Sequence, residues 1–164
     1  MNDLVDDVAA LIALNGGQIV GKTRLQKIFY LLEAKGLGFE IDFDYRDFGP
    51  FSMELAFATD DAEALGLIES EERPGFHAVP YTIFRTTGSV PSFSDQELLK
   101  ERKAALGKMK DYSSLILELA ATAVFLRENG YPEDFWEEVK VRKAVKATPE
   151  RIKQSNKLLK QLGL

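Results

Sequence analysis

Thr23-Arg24-Leu25-Gln26-Lys27-Ile28-Phe29-Tyr30-Leu31-Leu32 opens the stretch that decides the fold, which runs over residues 23–86. Leu25, Ile28, Phe29, Leu31 and Leu32 recur at helical spacing, so this segment is read as an amphipathic helix. Residues 39–46, Phe-Glu-Ile-Asp-Phe-Asp-Tyr-Arg, alternate apolar with polar side chains, the period of a half-buried strand. After Gly49-Pro50 a second helical pattern, Met53, Leu55, Ala56, Ala62 and Leu65, stops at Gly66. Leu67-Ile68-Glu69 and Tyr81-Thr82-Ile83-Phe84 then bracket a turn-forming stretch that contains Pro74-Gly75. Helix, strand, helix and two-stranded ribbon in that order predict a winged helix.

Outward from this stretch the chain is helical on both sides. Leu4, Val8, Leu11 and Ile12 place an amphipathic helix before the Asn15-Gly16-Gly17 stop. Residues 86–94 form a connector. Ser94 with Glu97 resembles a capping box for a helix reaching Met109. Residues 112–128 are the most apolar of the chain, and Asn129-Gly130 ends them. Further helices are expected from Pro132 and from Thr148-Pro149-Glu150. The expected fold is thus mainly α with a minor β part (α+β): a winged-helix-like core over residues 1–88, a small antiparallel β wing, and C-terminal helices over 89–164 packed on the core as one compact domain.

Composition narrows the function classes. The 164 residues have 45% hydrophobic and 29% charged side chains, as a soluble globular chain does. No apolar run approaches bilayer length, the N-terminal segment is acidic where a secretory signal is basic, and there is no cysteine. A cytoplasmic location is expected. With His77 the single histidine, neither thiolate nor multi-histidine metal sites can form, and no cofactor is expected. Charge is divided unevenly: residues 139–164 hold eight basic side chains and one acid, Glu150, while the whole chain carries −5.

Gly16-Gly17-Gln18-Ile19-Val20-Gly21-Lys22-Thr23 fits the phosphate-cradling pattern G-x-x-x-x-G-K-[ST]. The preceding segment has helical spacing, however, and the strands read as a hairpin, so a P-loop nucleotide binder is a remote alternative. Asp47-Phe48-Gly49 matches a kinase tripeptide without that fold's other motifs. Asp60, Asp61 and Glu63 lie along a helix and are read as a solvated face. No catalytic residue is nominated.

In a nucleic-acid-reading winged helix the second helix of the pair meets phosphates. Here residues 51–72 carry seven acids and no lysine or arginine, which would repel a duplex. A protein partner fits that helix better, through Phe51, Glu54, Phe57, Asp60 and Asp61. The alternative is a DNA-binding regulator that uses Lys22, Arg24, Lys27, Lys140, Arg142 and Lys143. Homo-oligomerisation is left open.

The motifs Thr23-Arg24-Leu25-Gln26-Lys27-Ile28-Phe29-Tyr30-Leu31-Leu32, Phe48-Gly49-Pro50-Phe51-Ser52-x-Glu54-Leu55 and Leu65-Gly66-Leu67-Ile68 resemble, in this order, the YwgA-like proteins and the related Panacea (SocA-like) antitoxin domains. The resemblance implies a winged-helix-like core with added helices, and a non-enzymatic role as an antitoxin, adaptor or phage-associated regulator. It marks Leu25, Gln26, Lys27, Tyr30, Gly49 and Pro50 as pattern positions. Phe48 stands where the family more often has tyrosine.

Overall fold

The computed structural model describes residues 3–164. The order is α1 (Asp3–Leu14), β1 (Gln18–Val20), α2 (Lys22–Ala34), β2 (Asp44–Arg46), β3 (Gly49–Phe51), α3 (Met53–Ala64), β4 (Ile68–Arg73), β5 (Tyr81–Thr86), α4 (Leu99–Met109), α5 (Ser114–Glu128), α6 (Phe135–Lys143) and α7 (Pro149–Leu162). The fold is mainly helical α+β with a small antiparallel sheet. No helix among the described residues is long and apolar enough to cross a membrane.

Helix α5 is the axis of packing. Its residues from Ile116 to Val124 are all buried, and α2, α6 and α7 lie against it. Ala120, Ala121 and Ala123 are fully buried, and their small side chains allow close backbone approach between helices. Leucines such as Leu117, Leu119 and Leu158 then fill the space, each contributing about 1.5–3 kcal/mol by leaving water. Ser113 and Thr148 cap α5 and α7 by accepting from the amides of Ile116 and Arg151.

The three-stranded sheet has the order β1-β5-β4, antiparallel throughout. Ile19 pairs with Phe84, and both are buried, so this pair anchors the sheet to α1 and α2. In β4 only Ile68 is buried; the rest of that strand is exposed, and Glu71 is bridged to Arg73 and Arg85 at 3.0 and 2.7 Å. His77 sits in the exposed loop between the two strands, as the Pro74-Gly75 turn suggested. The second sheet is the β2–β3 hairpin, in which Tyr45 pairs with Pro50.

Three expectations need correction. Residues 39–46 form a strand only at Asp44–Arg46. Upstream, the amides of Phe39 and Ile41 donate to the Glu33 carboxylate at 2.8 and 3.2 Å, and Glu40 adopts a φ of 60°. The alternation is genuine, because Ile41 is buried and Phe39 packs on Phe29 and Phe93, yet the backbone is irregular. Second, helix α4 begins at Leu99, because the amide and hydroxyl of Ser94 donate to the buried Asp7 carboxylate and do not cap a helix. Third, α6 begins at Phe135, three residues after Pro132. Strand β1 falls inside the glycine-rich motif, where periodicity gave no strand signal.

Candidate functional site

The pattern positions on α2 converge on the backbone of the β2–β3 hairpin. The Gln26 side chain donates to the Ser52 carbonyl at 3.0 Å and accepts from the Ser52 amide at 2.9 Å. Lys27 Nζ donates to the Pro50 carbonyl at 2.7 Å. From the other side, Lys143 Nζ donates to the Asp47 carbonyl at 2.8 Å and lies 3.3 Å from Glu118. Lys146 reaches the same carboxylate at 3.1 Å. Gly49, with φ 91°, presses against Thr122 of α5. Ser52 then caps α3 by accepting from the Leu55 amide at 3.1 Å. The hairpin and the start of α3 are therefore held by buried polar side chains of two helices, α2 and α6, with Thr122 of α5 packed against Gly49.

The electrostatics of this clamp are unbalanced. Two ammonium groups, those of Lys143 and Lys146, pair with one carboxylate, Glu118, whose charge also reaches Lys27 without an ion pair. Lys27 is 1% exposed, and burial pushes its pKa down to about 8; Glu118 opposes the shift, while Lys143 and Lys146 add to it. Burial also lowers the Lys143 pKa, against the pull of Glu118. Among the described residues the Thr122 hydroxyl has no hydrogen-bond partner.

Directly beyond the clamp lies the outer face of α3. Met53, Glu54, Phe57, Asp60, Asp61 and Ala64 are exposed at spacings of three and four, so they form one helical stripe. Phe57 is 61% exposed. Phe51 is half-buried at the head of this stripe and borders, together with Asp60, a cleft of about 230 Å³. The five side chains expected to meet a protein thus lie on one side of the molecule.

The six cations expected to meet DNA do not. Lys27 and Lys143 are buried. Arg24 donates to the carbonyls of Tyr112 and Met109 at 2.8 and 2.9 Å, fastening α2 to the end of α4. Lys140 and Arg142 pair with Glu137 and Glu138 on their own helix, and the Arg142 guanidinium also lies over Tyr45. Only Lys22 stands exposed without a carboxylate in reach among the described residues. Sequence spacing could not show which lysines turn inward.

The glycine-rich motif is built into the end of α1 and the sheet. The amides of Gly16 and Gly17 donate to Ala13 and Ile12 carbonyls, and that of Gly21 donates to Thr82 at 2.7 Å. A phosphate cradle needs those N–H groups free. Glu118, Thr122, Lys146 and Arg46, which the clamp and the adjoining cleft bring in, were not nominated as site residues by sequence reading. A lone glutamate inside the apolar run of α5 was the available signal for the first.

A hollow of about 730 Å³ between α4 and α7 is lined by exposed residues such as Lys108, Asp111, Gln154 and Lys157, with no buried polar side chain among them. A second cleft, about 410 Å³, lies between α2 and the β2–β3 hairpin.

Compared with known proteins, the chain is similar to the protein titled "Uncharacterized protein YwgA" from Bacillus subtilis (strain 168), at 25% identity over 113 residues, covering 68% of each chain. This agrees with the resemblance to YwgA-like proteins carried by the α2 and hairpin motifs. No family profile and no solved structure matches the chain.

Proposed function

We propose that this chain is a non-enzymatic regulatory or adaptor protein on a winged-helix-like scaffold, and that it binds a protein partner through the outer face of α3. The order α1-β1-α2-α3-β4-β5, with β1 alongside β5, supports the winged-helix reading, the β2–β3 hairpin being an insertion before α3. The observation that carries the binding role is the α3 stripe: Phe57 and Met53 stand in water among Glu54, Asp60 and Asp61, with no cation on the helix. Exposed large apolar side chains ringed by one sign of charge make a docking patch, with an apolar centre for affinity and an acidic rim for steering. The partner therefore presents a basic rim around an apolar centre. An antitoxin-like or phage-associated setting follows from the resemblance to the Panacea domains.

The test is affinity capture from the native host with three baits: the unaltered chain, Phe57→Glu, and Asp60→Lys with Asp61→Lys. A protein retained by the unaltered chain and released by both variants, with binding that weakens as salt rises, is the expected result. Identical capture by all three would remove α3 as the docking face.

A further inference from the structure

The 410 Å³ cleft between α2 and the β2–β3 hairpin brings together three cations, Lys22, Lys27 and Arg46. None has a carboxylate within ion-pair reach among the described residues. In a chain of net charge −5 this convergence is unexpected. Lys27 forms part of the cleft's floor and is buried with one hydrogen bond, to the Pro50 carbonyl, and an ammonium has three donors. A buried charge with incomplete pairing is unfavourable, and a bound anion is what relieves it.

The walls are aromatic. Phe48 and Phe51 line the same cleft, and each ring already carries a cation: the Arg46 guanidinium lies 5.0 Å from the Phe51 centroid, and Lys146 Nζ 4.9 Å from that of Phe48. Asp47 is the one acid on the rim, and its backbone carbonyl is held by Lys143. The volume lies within the range of small-molecule sites, about 300–1,000 Å³.

We propose that this cleft is a binding site for a small organic anion, a phosphate or carboxylate carried on a flat apolar body. The headgroup meets Lys22, Lys27 and Arg46, and the ring lies between Phe48 and Phe51. Duplex nucleic acid is disfavoured, because Lys27 is inaccessible to a wide backbone and the neighbouring α3 face is acidic. The site uses side chains, not the amides of the glycine-rich segment, which the end of α1 and the sheet occupy. It is independent of the α3 docking role, although Phe51 borders both.

Backbone amide NMR of the full chain tests this, titrated with phenyl phosphate, benzoate, inorganic phosphate and neutral benzyl alcohol. Phenyl phosphate or benzoate should saturate shifts at Gly49, Phe51 and Lys22 in the millimolar range, as expected for small fragments. Whichever of the two binds more tightly identifies the headgroup. Lys22→Glu combined with Arg46→Glu changes two exposed side chains and should weaken that binding about tenfold or more. The proposal is overturned by silence at these amides up to about 50 mM. Equal binding of benzyl alcohol, inorganic phosphate as tight as phenyl phosphate, or an unaffected double variant would also overturn it.

Discussion

Gly49 and Thr122 touch with no room for a methyl group between them: a β-carbon on Gly49 would lie 2.6 Å from Thr122 Oγ1. Gly49 also adopts φ 91°, which disfavours any L side chain. Gly49→Ala should therefore destabilise the protein by about 2–4 kcal/mol, combining backbone strain with overpacking. Thr122→Ala loses no hydrogen bond, because that hydroxyl has no partner among the described residues. In the Gly49→Ala background it should restore the packing part alone. Urea unfolding of the two single variants and the double variant gives the coupling.

Gln26 serves two backbone groups of Ser52 at once. Gln26→Leu keeps the volume and leaves the buried Ser52 amide unpaired, while the carbonyl keeps its bond from the Ala56 amide, so a loss of about 1–3 kcal/mol is expected. Ser52→Ala removes only a helix cap, worth about 1 kcal/mol. Thermal melts that rank the two variants in the reverse order would show that the clamp is minor.

Glu118 and Lys143 are 4% and 3% exposed at the side chain, so their pairing is of the buried kind. Glu118→Gln strands Lys143 and should cost about 3–5 kcal/mol, with little dependence on salt. Lys140→Ala, at an exposed pair with Glu137, should change stability by less than about 0.5 kcal/mol. Chemical denaturation at low and high salt separates the two cases.

Lys27 makes stability depend on pH in a stated direction. Its folded pKa, about 8, lies below the ordinary lysine value of 10.5. Between those values the unfolded chain binds more protons, so this group's contribution to stability rises with pH. The gain is complete above 10.5 and is lost as pH falls through 8. Glu118, Lys143 and Lys146 face the group from α5, α6 and the segment that follows α6, and the rim carries Lys22, Arg46 and Asp47. The difference in urea midpoint between the unaltered chain and Lys27→Met should therefore move in favour of the unaltered chain from pH 7.5 to pH 10. A difference that is constant with pH would count against a depressed pKa.

Much of the architecture is written locally. Glycines at 16, 17 and 66 and caps at Ser52, Ser113 and Thr148 mark element ends by backbone chemistry that needs no distant partner. The β4–β5 hairpin and the α3 stripe were readable for the same reason. What was not legible depends on partners far along the chain. Glu33 takes two amides from what looks like a strand, and Asp7 removes Ser94 from its apparent capping role 87 residues away. In the same way, Lys27 and Lys143 read as surface charge until Pro50 and Asp47 supply their acceptors. Arg46 entered the cleft unnoticed, because one arginine at the end of a short strand has no periodic signature.

The bond from Lys143 to Asp47 spans 96 positions, so its donor is made long after its acceptor. A ribosome-bound chain that has already made its sheet and α3 still lacks the residue that fastens the hairpin tip. Nascent fragments ending before α6 should thus leave the hairpin tip around Asp47 open to proteases, and protection should arrive once α6 has been released.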